Sequence, residues 1–255
     1  MIPNDDLSIQ LFSSRAAETL EEQLSLFQAL GYTDVQPFFF GPPDMAEVET
    51  AAALVRAHGL TAKSGHFTFE VFDDPDLVEA IAKAYGMTLV VIPWINPEDR
   101  PTTRDGWEAI GARLEAITAD MARRGLTFAY HNHDFEMIPL ADGLYPIDLL
   151  LGETVPFEPD LAWMAVAGED PLPWLAKYKG RIPAVHVKDL APQGQALDEK
   201  GFADVGHGVM DWPRLWAASV AAGAGLMVAE HDQPSDWRRF ATRAIATMKG
   251  LGHGA

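Results

Sequence analysis

Short β-rich apolar runs alternate with amphipathic helical stretches along the whole chain, and that alternation confines the fold to an α/β architecture with parallel strands. The runs cover residues 8–12, 34–39, 61–66, 88–93, 126–131, 156–160, 182–187 and 226–230. Between them Leu20, Leu24, Phe27 and Leu30 recur at the spacing of one helix face, as do Ile110, Leu114, Ile117 and Met121. Gly31, Gly59, Gly86, Gly125 and Gly225 each stand shortly before a strand, where glycine supplies a left-handed helix end. Asp44, Asp74 and Ser235 stand where helix N-caps are wanted.

Eight strands in 255 residues leave about 32 residues per unit, the size of a (β/α)8 barrel. A doubly wound sheet shares the same alternation. Against it, no Gly-x-Gly-x-x-Gly follows the first strand, where Ser13-Ser14-Arg15 stands instead. Polar residues also crowd the C-terminal ends of nearly every strand, where barrel active sites lie. The expectation is one TIM-barrel domain over residues 1–255, with 189–212 as its longest non-periodic segment, a functional or mobile loop.

The charge narrows the partners. With 19 Lys plus Arg against 37 Asp plus Glu the net charge is −18, a field that repels phosphate backbones and anionic lipid. Cysteine is absent, which removes disulfides, thiolate metal sites and cysteine nucleophiles. Residues 1–7, Met-Ile-Pro-Asn-Asp-Asp-Leu, lack the basic and apolar regions of a signal peptide. No apolar run approaches the roughly 20 residues of a membrane helix. The expected setting is cytoplasmic, with a small-molecule ligand and no nucleic acid or membrane partner. Trp212, Leu215 and Trp216 suit either the core or a homo-oligomer interface.

Five of the eight histidines fall at or just past a strand end: His66, His131, His133, His186 and His231. Barrel geometry gathers such ends on one face. Alternation puts Glu158 and Asp160 on the same side of the sixth strand, and His186 and Lys188 on one face of the seventh. Glu230 ends an apolar eighth strand, so it must be paired, with Lys188 the candidate partner, hydrogen-bonded or bound to metal. Asp160, His186 and Glu230 form a nitrogen and oxygen ligand set suited to Mn²⁺, Mg²⁺, Co²⁺ or Zn²⁺.

Tyr130-His-Asn-His-Asp-Phe-Glu136, Glu158-Pro-Asp160 with Trp163, Gly168-Glu-Asp-Pro171, Arg181, His186-Val-Lys-Asp189 and Val205-Gly-His-Gly208 with Asp211 resemble the sugar phosphate isomerase/epimerase group of the xylose isomerase-like barrel superfamily. The resemblance runs from about Ile9 to Glu230. It implies one divalent metal held by a Glu, an Asp, a His and a Glu from strands five to eight, the last three matching Asp160, His186 and Glu230. The first ligand departs from the pattern. Either His131 takes the position, leaving Glu136 as acid/base, or Glu136 reaches back to bind the metal.

The resemblance further implies that His66 faces the pocket. Trp94 and Trp163 suit apolar walls against a sugar ring or ordinary packing. His133 and Asp189 complete the expected substrate contacts. The expected reaction is isomerisation or epimerisation of a sugar, keto-sugar or sugar phosphate through an enediolate. Glu136 and Glu230 are the expected proton carriers, and Lys188 or His133 neutralises the developing oxyanion. A lyase acting on a keto-sugar, keto-glycoside or inosose would use the same proton abstraction. The acidic surface favours a neutral sugar or keto-glycoside over a phosphate ester.

Overall fold

The computed structural model describes residues 7–252; the N-terminal segment considered above for a signal peptide falls almost wholly outside them. Eight parallel strands form the frame: β1 (Leu7–Gln10), β2 (Asp34–Gln36), β3 (Ser64–Phe67), β4 (Leu89–Ile92), β5 (Thr127–His131), β6 (Phe157–Glu158), β7 (Ala184–Val187) and β8 (Leu226–Ala229). Ladders join β7, β8, β1 and β2 in one row and β3, β4, β5 and β6 in another. Parallel bridges Asp34↔Thr61 and Asp160↔His186 connect the two rows, so strand neighbours run in chain order from β1 to β8 and back to β1. The fold is the α/β barrel type expected from the alternation.

The strands are shorter than the apolar runs. The sixth is cut to two residues by flanking prolines, Pro156 and Pro159, which lack the N–H a ladder needs. Helices cover the outside of the ring. The helix Arg104–Arg123 approaches Pro146–Leu151 so closely that a Cβ on Gly111 would lie 2.2 Å from the Leu149 carbonyl oxygen.

Two helix ends differ from expectation. The helix Trp212–Ala222 ends on Gly223 in the left-handed region (φ 114°), not on Gly225. At the N-terminus of Trp237–Gly252 the cap is Asp236, whose carboxylate accepts from the N–H groups of Arg238 and Arg239. The Ser235 hydroxyl is instead turned to Glu199. Among the described residues no helix is long and apolar enough to cross a membrane.

Candidate functional site

Strand parity builds the site in layers. Leu89, Val91, Ala129, Ala184, Leu226 and Val228 form a small buried cluster apart from the main core. Two residues further along, the same faces carry His131, His186 and Glu230, because side chains of one parity share one face of a strand. Apolar packing therefore gives way to polar chemistry at the C-terminal end.

Glu158 is the hub of the inner polar layer. Its Oε1 lies 2.6 Å from His66 Nε2, 3.1 Å from His186 Nε2 and 3.4 Å from His131 Nδ1. Its Oε2 accepts from Gln36 Nε2 at 3.0 Å. Gln36 also accepts from Gln10 at 2.8 Å and donates to Ser64. Burial opposes the Glu158 charge, but His186 and His66 hold its carboxyl well below the ordinary range. Burial lowers His186 to about 4, so its imidazole is neutral and able to donate an electron pair.

Lys188 is the second hub, fully buried between rings and carboxylates. Its Nζ lies 2.9 Å from Asp160 Oδ2 and 3.0 Å from Asp232 Oδ1, and it also contacts Glu230 Oε2. The rings of Trp163 and Phe202 lie 5.2 and 4.9 Å from the ammonium. Burial works against this cation, but Asp160, Asp232 and Glu230 raise its affinity for the proton. Glu230 is displaced upward, first by burial and then by Asp232 and Asp160, with Lys188 opposing. The pairing anticipated between Glu230 and Lys188 is thus present, widened to three carboxylates.

These groups open into a cavity of about 350 Å³. Its walls include His66, His133, Trp94 and Trp163, with Lys188 and Glu230 among its polar residues. His133 packs edge-on to Trp94 and lies 5.3 Å from Trp163, centroid to centroid. Burial, followed by the neighbouring charges of His131 and Lys188, keeps His133 neutral.

Two anticipated residues lie elsewhere. Glu136 is fully buried and is not part of the cavity wall. Its carboxylate accepts from the Tyr130 hydroxyl at 2.6 Å and the His133 N–H at 2.8 Å, which ties down the loop after β5. Burial moves it up to about 7. Asp189 also lies off the wall. Its carboxylate accepts from the N–H groups of Gly206, Gly208 and Met210, so it knots the loop 189–212. Gly208 is needed there, since a Cβ would lie 2.2 Å from Asp189 Oδ1. Both placements share a feature: each carboxylate accepts from backbone N–H groups of its own loop, and Glu136 from the Tyr130 hydroxyl as well.

Sequence reasoning left Glu158, Gln10, Gln36 and Asp232 without roles. A usable signal existed for Glu158, which shares its parity with Asp160. Gln10 and Gln36 stand at inward positions of β1 and β2, but a lone Gln carries no chemical signature.

Potential ligand atoms of Asp160, His186 and Glu230 lie within 4.8 Å of one another, and a second such group is His66, His131, Glu158 and His186. His131, anticipated beside Asp160 and Glu230, falls in the second group, with His186 common to both. The residues fit a divalent ion on their own chemistry. His186 Nδ1 is buried without a hydrogen-bond partner, and Asp160 Oδ2 and Glu230 Oε2 face only the Lys188 ammonium. A neutral imidazole and two carboxylates suit Mn²⁺, Mg²⁺, Co²⁺ or Zn²⁺.

The family model for the xylose isomerase-like TIM barrel matches residues 24–249. An inosose dehydratase of Lacticaseibacillus casei is 29% identical over 155 residues, covering 53% of this chain and 51% of that protein. The chain spans about half the length of the curated relatives it matches. A sugar phosphate isomerase/epimerase from Parabacteroides distasonis superposes with a TM-score of 0.77 at 18% identity, over 96% of this chain and 94% of that one. An IolI protein solved with a zinc atom gives a TM-score of 0.73 at 16% identity, over 97% and 95% of the two chains.

Proposed function

The chain belongs to the xylose isomerase-like TIM barrel family, and from that membership and the site geometry we propose that it is a divalent-metal-dependent enzyme that isomerises or epimerises a small sugar or keto-sugar by removing the proton next to a carbonyl. The observation that carries this reading is the buried convergence of Asp160, His186 and Glu230 beside an open, ring-walled cavity. The zinc in the IolI protein supports a metal here as well.

Asp160, His186 and Glu230 would hold the ion, with His131, which shares the second cluster with His186, as the further ligand. When bound, a divalent ion polarises a carbonyl and stabilises negative charge on its oxygen. Glu230, a polar residue of the cavity, is the carboxylate that takes the α-proton. The Lys188 ammonium offsets charge developing on the substrate oxygen. Epimerisation needs a second proton carrier on the opposite face. His133, held by the Glu136 bond to its N–H, is the wall residue for that role. Glu136 and Asp189 act by positioning loops.

A second reading is favoured by one observation, the inosose dehydratases among the curated relatives. In that reading the same proton loss is followed by cleavage of a β C–O bond, and Lys188 gives a proton to the departing hydroxyl.

The test is solvent exchange. Metal-loaded protein is mixed with ketoses, inososes and keto-glycosides in D₂O and followed by NMR. Deuterium should enter at the carbon next to the carbonyl, and chelator should stop it. No exchange with any metal and any of these classes would overturn the proposal. Loss of the β-hydroxyl during exchange selects the dehydratase reading.

A further inference from the structure

The cavity is amphipathic along its depth. Its floor carries Gln10, His66, His186, Lys188 and Glu230. Phe12, in the 3-10 turn Leu11–Ser14 that follows β1, and Phe38 and Phe40, beyond the end of β2, line the same cavity. They form one cluster, with centroid separations of 5.4 Å (Phe12–Phe38), 5.9 Å (Phe12–Phe40) and 5.0 Å (Phe38–Phe40).

Core packing accounts for Phe38, half-buried against the main core, but not for the outermost ring. Phe40 is 69% exposed, and a cluster of rings kept at a pocket mouth marks a binding surface more than a folding contact. Phe12 is held in place by Arg15, whose guanidinium lies 3.8 Å over the ring and donates to the Phe12 and Asp232 carbonyls. A fixed ring beside an exposed one offers both edge and face to an incoming ring.

A lone sugar ring suits the floor and not the rim. The three phenyl groups themselves offer a sugar's hydroxyls no hydrogen-bond partner. A cavity of about 350 Å³ is of the size that takes a larger, drug-like molecule.

We infer that the substrate is a keto-glycoside whose oxidised sugar ring sits on the polar floor and whose aromatic aglycone packs into the rim of Phe12, Phe38 and Phe40, so that simple glycosides bind as unreactive analogues. This inference rests on the sugar-directed reading above and names the class of sugar derivative. Phe40 is the specificity residue, because its ring is the most exposed of the three and lines the same cavity.

Calorimetric binding of matched phenyl and methyl D-glycosides of glucose, galactose, mannose and xylose tests it, with phenol as a further ligand. The measurement needs no turnover, so it fails or succeeds apart from the exchange experiment. The phenyl member of at least one pair should bind about tenfold or more tighter than the methyl member. Phe40→Ala, a surface change, should remove most of that preference while metal content stays unchanged; Phe12→Ala should do the same if it folds. Equal affinities within every pair, or no binding by any phenyl glycoside, would overturn the inference. So would phenol binding as tightly as the phenyl glycosides, or a preference that survives Phe40→Ala. A dimer that depends on Phe40, without any phenyl preference, would assign the rim to a second copy of the chain and overturn it too.

Discussion

The ammonium of Lys188 lies 2.9 Å from Oδ2 of Asp160, with both side chains sealed from solvent. The barrel thus holds one of its own cations at the point where Asp160, Glu230 and Asp232 meet. Without it, three buried carboxylates would lose the cation in direct contact with them, which is why a lysine can be kept there despite the cost of burial. A divalent ion placed among these residues either shares the carboxylates with the lysine or displaces it.

Lys188→Met should therefore destabilise the metal-free protein by about 3–5 kcal/mol, the cost of leaving buried charges unpaired. Saturating Mn²⁺ or Zn²⁺ should recover more stability in this variant than it adds to the wild type. Urea midpoints with metal and with chelator measure both effects. Equal metal stabilisation in the two proteins would mean that the lysine and the ion do not compete.

Asp160 has two tasks that substitution can separate. Its Oδ1 caps the helix Leu161–Val166 by accepting from the N–H groups of Ala162 and Trp163, while Oδ2 faces the site. Asp160→Asn should keep the cap and lose metal affinity. Asp160→Ala should lose the metal and a further ~1 kcal/mol from the cap. Metal content after dialysis, read with the unfolding midpoint, checks each variant; full metal retention in both would remove Asp160 from the ligand set.

The ambiguity at β5 resolves into three variants. Glu136→Gln should retain metal, because its carboxylate lies off the cavity and bonds Tyr130 and His133. His131→Ala and Glu158→Gln should each weaken metal binding by about 10–100-fold, one by removing a neighbouring imidazole and the other by releasing His186 from its hydrogen-bonded orientation. Isothermal titration with Zn²⁺ ranks them. Metal loss confined to Glu136→Gln would reverse the assignment.

Asp34 predicts a pH effect on stability. It is buried at the far end of β2, accepting from the Thr61 hydroxyl and the Lys63 N–H, and burial raises it to about 6. The folded state therefore holds a proton that the unfolded state has released between about pH 4 and pH 6. Its contribution is present in full below the unfolded value and is lost as pH rises through 6, by at most about 3 kcal/mol. Asp34→Asn should remove this slope. The difference between wild-type and variant unfolding curves from pH 4 to 7 isolates it from Glu158, which titrates in the opposite sense.

The positions of Asp160, His186 and Glu230 were legible because each ends a strand whose inward parity is set by its own apolar residues. Glu136 and Asp189 were not, because a carboxylate just past a strand end can turn to the cavity or to nearby backbone donors. The loop geometry decides, and Glu136 took the His133 N–H while Asp189 took three amides of the glycine-rich segment.

Sequence alone determined the α/β alternation, the order of the strands and the parity that points histidines and carboxylates into one end of the ring. Those properties depend on residues close together in the chain, where hydrophobic spacing acts directly. Tertiary structure decided the pairings. Glu158 meets His66 from 92 residues away, and His186 meets Gln36 from 150. Such partners are selected only when parallel strands close into a ring and leave each buried charge to find its counter-charge among the residues on the strands beside and across from it.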